Sequence, residues 1–187
     1  DHYEASVDKG GGALALKKLA KIELQRREYD RAKKTIHELS NINPNSSDLV
    51  LLQGLLALRS GDARGAATIF SRSPNSPQSQ YGAALVAIAQ GDHKTAQKHL
   101  ALAGANTDST IRNSAKILTA AYEEFTLFPN GQDTHMLTLV ARALAQVNEC
   151  ETALPLLQTV ILKQEQYRDA WIVKGYCEFH SERLNDA

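Results

Sequence analysis

Six histidines are the side chains of this sequence best suited to hold a metal ion or to move a proton at neutral pH. A helical zinc site needs two histidines four residues apart on one helix face, with a carboxylate between them. No pair of histidines here has that spacing, so each one is predicted to be a surface or packing residue. The six are His2, His37, His93, His99, His135 and His180.

Other local patterns that could support catalysis are incomplete. Gly10-Gly11-Gly12 precedes a predicted helix, but no strand comes before it and no Lys-Ser/Thr follows, which favours a flexible linker over a phosphate-binding loop. Glu123 and Glu124 are adjacent on a predicted helix and therefore point apart, so they cannot act together as a general acid and a general base. No Ser, Cys or Thr stands in a recognisable nucleophile turn. The sequence predicts no catalytic residue, no metal and no cofactor, and the chain is not predicted to be an enzyme.

The two cysteines, Cys150 and Cys177, match neither a multi-disulfide framework nor the spacing of a zinc site. Cys150 opens one predicted helix and Cys177 lies within the next, so their side chains could be near neighbours. The sequence does not decide whether a disulfide joins them. Two separately buried thiols are favoured, because sequence spacing cannot supply the geometry that a disulfide requires.

Composition and charge exclude several classes of partner. Of the 187 residues, 21 are Lys or Arg and 21 are Asp or Glu, and this neutrality argues against a nucleic acid or an anionic membrane as the principal partner. The densest basic stretch, 17–34, lacks a series of aromatic residues interleaved with its cations and is predicted to be a solvated helical face. No run of about 18 apolar residues predicts a membrane span. The chain starts without Met and ends within a helical pattern, so it is expected to be a piece of a longer protein, and no compartment is assigned.

Apolar residues recur at spacings of three and four along the sequence, which predicts helices, and no alternating pattern predicts a strand. Pro, Gly, Asn and Asp clusters separate helices of roughly 11 to 18 residues. Small residues recur with this punctuation: Ala20 and Gly54 are 34 residues apart, as are Ala141 and Gly175. Small side chains at such positions let neighbouring helices approach closely. The residues predicted to pack the repeats together are Ala20, Ala32, Gly54, Ala66, Ala84, Ala96, Ala141, Ala153, Trp171 and Gly175.

The 34-residue period, together with Leu, Gly, Tyr, Ala, Phe and Pro at recurrent positions, resembles the tetratricopeptide repeat family. Tyr29, Ala32 and Pro44 carry the resemblance in the first repeat, and the spacing from Trp171 to Gly175 carries it in the last. The resemblance implies an all-α fold, a right-handed α-α superhelix (solenoid) of tetratricopeptide-type helical hairpins.

Five repeats and one odd helix account for the chain in this interpretation. A flexible leading segment is predicted at 1–12, and three hairpin repeats at 13–108 (13–46, 47–76 and 77–108). A single connecting helix and turn follow at 109–133, because the repeat spacing is interrupted there. Two further repeats are predicted at 134–187 (134–167, and 168–187, which is incomplete). In an incomplete last repeat, the apolar face of Trp171, Ile172, Tyr176 and Phe179 is expected to be incompletely covered.

Function is predicted from the resemblance, which implies a protein- or peptide-binding scaffold. In this family the second, fifth, ninth and twelfth repeat positions line the concave face, and in the second and third repeats they predict an apolar groove for a peptide. The groove residues are Leu51, Leu55, Leu58, Tyr81, Leu85 and Ile88. Packing of these residues within the chain's own core is the simpler interpretation of the same stripe. Lys17 and Lys21 would fit a clamp for a chaperone tail, but Leu52 and Leu55 occupy its other polar positions, which argues against it. Self-assembly, or a substrate-positioning role within a larger enzyme, remains an alternative.

Overall fold

The computed structural model describes residues 12–105 and 108–185. Within them the chain forms ten helices and no strand, and successive helices pack as hairpins, so the all-α prediction is confirmed. The helices are α1 (Ala13–Gln25), α2 (Tyr29–Ile42), α3 (Ser47–Arg59), α4 (Ala63–Ser71), α5 (Pro77–Ala89), α6 (His93–Gly104), α7 (Ser109–Thr126), α8 (Asp133–Gln146), α9 (Cys150–Lys163) and α10 (Arg168–Asn185). His2 and all of the predicted leading segment except Gly12 lie outside the described residues. The division into five repeats stays a prediction.

Four of the turns between helices share one backbone device. Each contains a residue in the left-handed region directly before the N-cap of the next helix: Arg27 (φ 59°), Gly61 (φ 87°), Gly91 (φ 77°) and Asn148 (φ 62°). Glycine adopts this conformation without steric cost, whereas an L side chain pays about 1–2 kcal/mol. The turn geometry therefore recurs even where the sequence does not provide glycine.

The residue after each turn glycine is the N-cap of the next helix. The side chain of Asp62 accepts a hydrogen bond from the backbone N–H of Gly65 at 2.8 Å, and that of Asp92 accepts one from Thr95 at 3.0 Å. The hydrogen bonds from Thr95 hold the pKa of Asp92 below its ordinary value. A carboxylate at this position satisfies N–H groups that lack a partner within the helix, so each Gly-Asp pair sets both the turn and the helix start.

Two compact units make up the chain, Asp1–Ala83 and Ala84–Ala187. In the first unit α1 packs on α2 and α3 packs on α4, while α3 also contacts both helices of the preceding hairpin. The ring of Phe70, on α4, is only 2 % exposed, and a Cβ built on either Gly54 or Gly82 would overlap it. The absence of both side chains therefore makes the space that this aromatic ring occupies.

A buried carboxyl group lies in the first hairpin. Glu23, on α1, is 3 % exposed, and the Nε of Arg31 lies 3.7 Å from its Oε1. Burial raises the pKa of Glu23, a hydrogen bond from Thr35 lowers it, and the charges of Glu28 and Glu38 raise it further, with a net upward direction. At neutral pH the folded state therefore carries a carboxylate that is less well solvated than in the unfolded chain.

We expect the substitution Glu23→Gln to raise the thermal unfolding midpoint at pH 7. Folding raises the pKa of Glu23, so its carboxyl group stabilises the folded state fully at pH values below its pKa in the unfolded chain, near 4.5. This contribution is lost as the pH rises through the pKa of the folded state. Glutamine mimics the protonated form, so the advantage of the variant shrinks as the pH is lowered. Thermal melts of wild type and variant from pH 4 to 8 measure this, with Glu123→Gln on the exposed surface of α7 as the control. Equal differences at every pH would contradict the assignment.

In the second unit α7 packs between its neighbours in sequence, against α6 and against α8, and α8, α9 and α10 pack on one another. The apolar face of α7 is buried at Ile111, Ala115, Leu118 and Tyr122. Nδ1 of His93 lies 2.9 Å from the hydroxyl of Tyr122, and burial lowers the pKa of His93 and raises that of Tyr122. Both groups are thereby kept neutral near pH 7, so this hydrogen bond joins α6 to α7 without a buried charge.

The expectation of two separately buried thiols is wrong. A disulfide joins Cys150 to Cys177, with Cα atoms 5.3 Å apart, which is within the usual range. Cys150 is the first residue of α9, and Cys177 lies on the fully buried side of α10. The bond therefore fixes the start of α9 to the middle of α10.

Candidate protein-binding surface

The residues predicted to line a peptide groove have little accessible surface. Leu51, Leu55, Tyr81, Leu85 and Ile88 are buried, and Leu58 is half-buried. A partner could reach the five buried side chains only if their neighbours moved aside. The groove stays a prediction, and of its six residues Leu58 is the most accessible to a direct test.

The residues predicted to pack the repeats together fall into two groups. Those of the earlier repeats are buried, with Ala at 0 % exposure; they are Ala20, Ala32, Gly54, Ala66, Ala84, Ala96, Ala141 and Ala153. Trp171 and Gly175, which the same periodicity selects on α10, are exposed. Residues at equivalent repeat positions are therefore buried in the earlier helices and exposed in α10.

One side of α10 exposes a contiguous set of large apolar side chains. The exposed fractions are 46 % for Trp171, 57 % for Ile172, 47 % for Tyr176 and 55 % for Phe179. These residues follow a helical spacing and lie on one side of the helix. Together with Gly175 they are called the α10 face below. Clustered aromatic residues at a surface are typical of protein-binding sites.

The opposite side of α10 positions this face. Ala170 and Cys177 are fully buried, α10 packs against both α8 and α9, and the disulfide ties it to α9. The α10 face is therefore presented on a helix that is anchored to its neighbours. A pre-positioned surface loses less conformational entropy when it binds.

Gly175 makes a notch in the middle of the α10 face. A Cβ built on this residue would meet no atom within 4 Å, in contrast to Gly54, where it would overlap the Phe70 ring. Trp171 and Phe179 lie one helical turn away on either side, because residues four apart are neighbours on a helix surface. The face therefore has a small central depression between two large aromatic residues, a shape that can receive a side chain from another helix.

Polar groups at the margin of the α10 face are paired with one another. Lys174 forms an ion pair with Glu178 one turn away, and its Nζ lies 5.7 Å from the centre of the Trp171 ring. The indole N–H of Trp171 donates a hydrogen bond to the backbone oxygen of Glu165 at 2.7 Å. The two charges of this pair balance each other. The face is therefore suited to an apolar partner surface rather than to a strongly charged one.

Sequence reasoning recognised that these apolar residues would be incompletely covered but did not assign them to partner binding. The signal was present, because the positions used to predict the groove correspond to Asp169, Ile172, Tyr176 and Phe179 in the predicted fifth repeat. In the second and third repeats, where the groove is predicted, the residues at those positions are mostly buried. Burial of neighbouring helices, which no single repeat encodes, distinguishes the two outcomes.

The position considered for a carboxylate clamp is already occupied. Lys17, on α1, forms an ion pair with Asp48 on α3. This ion pair joins α1 to α3, the first helices of two successive hairpins. It satisfies the charge on Lys17 locally. It gives no support to a chaperone-tail clamp.

A second apolar surface follows α7. Leu127 is 75 % exposed, and with Phe128 and His135 it lines a shallow cleft of about 380 Å³. Nδ1 of His135 lies 2.9 Å from the hydroxyl of Tyr167, while the ring of Phe128 lies edge-on to the imidazole at 4.7 Å between ring centres. Nε2 of His135 is buried, so the cleft offers mainly apolar contact.

Metal ligation and membrane insertion find no support in the part of the chain that the structure describes. Within it, no three His, Cys, Asp or Glu residues are grouped closely enough to hold a metal ion. Over the same residues, no helix has both the length and the apolar character needed to span a bilayer.

Paired helices, a recurrent turn and small residues at fixed spacing define a helical-hairpin repeat protein. A family model for the tetratricopeptide repeat matches residues 17–80 and 140–187, more than half of the chain. The chain belongs to the tetratricopeptide repeat family, whose domains are generally protein–protein interaction modules and are typically non-catalytic. No curated protein and no solved structure matches the chain.

Proposed function

We propose that this chain is a protein- or peptide-binding scaffold module rather than an enzyme, and that the α10 face is its principal binding surface. The observation that carries the proposal is the exposure of Trp171, Ile172, Tyr176 and Phe179 together on one side of an anchored helix. Full burial of one large apolar side chain contributes about 1.5–3 kcal/mol. Covering four such residues, each about half-exposed, is a substantial driving force for association.

The partner element that fits this surface is an amphipathic helix. The α10 face is a straight apolar stripe with a central notch at Gly175, which matches the ridge of side chains along another helix. Inside the chain, Phe70 of α4 fills the corresponding notch at Gly54 of α3. A partner helix with a large apolar residue at the equivalent place would repeat that packing on α10.

Site-specific crosslinking tests the location of the binding surface. A photoreactive amino acid placed at position 172 is expected to capture a partner that the same group at position 162 does not. Leu162 is the matched control because it is apolar, lies on α9 and is 78 % exposed. The captured partner is then purified, and its affinity is measured for wild type, Ile172→Asp and Leu162→Asp.

We expect Ile172→Asp to weaken this affinity by at least about tenfold, or ~1.4 kcal/mol, because it places a charge in an apolar interface. Leu162→Asp should leave the affinity unchanged. A partner that binds Ile172→Asp as tightly as wild type, but loses affinity for Leu58→Asp, would place the interface at the predicted groove instead. If Trp171 were already shielded in the isolated full-length polypeptide, the α10 face would not be a docking surface.

A further inference from the structure

Helix α10 is held to the rest of the second unit by few buried side chains. Of its side chains that the structure describes, those of 168–180, only Ala170 and Cys177 are buried, while Val173 and Lys174 are half-buried. By contrast, α9 buries six side chains, and four of these are large and apolar. Since burial of apolar surface is what attaches one helix to another, α10 has little noncovalent attachment of its own.

Two attachments of different kinds lie along α10. At its start, the hydroxyl of Tyr167, the residue before α10, lies 2.9 Å from Nδ1 of His135 on α8, and Ala170 is fully buried. Further along, Cys177 is bonded to Cys150 at the start of α9. With a rise of 1.5 Å per residue, these two attachments are about 15 Å apart along the helix. Among the side chains that the structure describes, the disulfide is the principal attachment of α10 after its first turn.

The two bonded cysteines differ in their exposure. Cys177 is fully buried, whereas Cys150 is half-buried and has accessible surface. A thiolate from solution therefore approaches the disulfide at Cys150. Its attack on Sγ of Cys150 forms a mixed disulfide and breaks the bond to Cys177, which leaves as a thiolate and takes up a proton.

A dithiol reductant completes the reaction. Its second thiol attacks the reductant's own sulfur in the mixed disulfide, so that Cys150 is released and the reductant leaves with an internal S–S bond. Two electrons and two protons pass from the dithiol to the two cysteines, and no other co-reactant is needed.

We propose that the Cys150–Cys177 disulfide is a redox switch that controls the position of α10. In the oxidised chain α10 is fixed on α9. In the chain reduced by a dithiol, the part of α10 after Ala170 separates from α8 and α9, while α7, α8 and α9 keep their packing. Isolated helices of about 12–15 residues are marginal in water, and Gly175 weakens this one further, so the released part loses helical order.

The consequence of the switch rests on the proposed function. Ile172, Tyr176 and Phe179 all belong to the released part, so reduction removes their fixed arrangement on the α10 face. Binding of a partner must then also order α10, and the reduced chain binds more weakly. Linkage requires the converse as well: a bound partner shifts the reduction equilibrium toward the disulfide by the same factor.

Hydrogen exchange tests the release of α10 without any partner. We expect the backbone amides after Ala170 to exchange at least about tenfold faster in reduced than in oxidised wild type, while those of α7 and α9 change little. Reoxidation should restore the slow exchange. The double variant Cys150→Ser with Cys177→Ala should show the fast pattern with and without the dithiol. Unchanged exchange in α10, or an equal acceleration in α8, α9 and α10, would overturn the switch.

A small monothiol tests the route of attack. We expect the first mixed disulfide, trapped by acid and located by peptide mass measurement, to form on Cys150, because Cys177 is fully buried in the oxidised chain. Mixed disulfides that form first on Cys177, or equally on both residues, would overturn this route.

The affinity of the partner captured by crosslinking at position 172 separates the switch from the proposed function. We expect reduction to weaken its binding to wild type at least about fivefold and reoxidation to restore it. An affinity that falls in Ile172→Asp but is unchanged by reduction would overturn the control of binding by the switch and leave the proposed function intact. An affinity insensitive to Ile172→Asp would instead overturn the proposed function, and hydrogen exchange would still decide whether reduction releases α10.

Discussion

Removal of the Cys150–Cys177 disulfide is expected to lower the free energy of unfolding of the second unit by about 3–4 kcal/mol. The bond closes a loop with a sequence separation of 27 residues and thereby restricts the unfolded chain. It also holds α10, the helix that carries the α10 face, against α9. We expect the double substitution Cys150→Ser with Cys177→Ala to lower the denaturant midpoint and to increase proteolysis within α10.

The reduced wild type provides the matched comparison. Thermal melts of wild type with and without a dithiol reductant should differ, while those of the double variant should coincide, because the reductant has no bond to break. A reductant effect of equal size on both proteins would show that the difference does not arise from this bond. Equal midpoints for oxidised and reduced wild type would contradict its stabilising role.

Alanine at Gly54 and alanine at Gly175 are expected to have opposite effects on stability. Gly54→Ala should destabilise the first unit by about 1–3 kcal/mol, because the new Cβ overlaps the buried Phe70 ring. Gly175→Ala should stabilise α10 by about 0.5–1 kcal/mol, since alanine is the better helix former and its methyl group meets no atom. Denaturant unfolding followed by circular dichroism, at concentrations too low for self-association, measures both.

A double-mutant cycle identifies the cause of the Gly54 effect. In a Phe70→Ala background the ring is absent, so Gly54→Ala should no longer destabilise and should show only the favourable helix propensity of alanine. Gly82→Ala should behave in the same way, because its Cβ would overlap the same ring. If Gly54→Ala cost the same with and without the ring, the close contact with Phe70 would not be the reason that glycine is required.

The helices and their hairpin pairing could be predicted because the signals are local. Gly61-Asp62 and Gly91-Asp92 announce a turn and a helix start, and the structure has a positive φ and a capping carboxylate there. Arg27 adopts the same backbone conformation without any such signal. It lies in the turn between α1 and α2, which pack on each other, and that packing cannot be read from the local sequence.

The proposed binding surface was harder to predict because an apolar stripe has the same sequence pattern whether it is buried or exposed. Leu85 and Tyr176 occupy the same repeat position in different repeats, yet Leu85 is fully buried and Tyr176 is 47 % exposed. The difference comes from which neighbouring helices cover each side chain. The disulfide could not be predicted for a related reason, since the distance between Cys150 and Cys177 depends on how α9 and α10 pack.

The emission of Trp171 tests the α10 face most directly, because this residue is the only tryptophan of the chain and is 46 % exposed. When a partner helix covers the face, the indole leaves water. We expect the emission maximum to shift to shorter wavelength and quenching by acrylamide to fall, in proportion to the fraction bound. Saturated binding that leaves the emission and quenching of Trp171 unchanged would contradict the assignment of the α10 face as the binding surface.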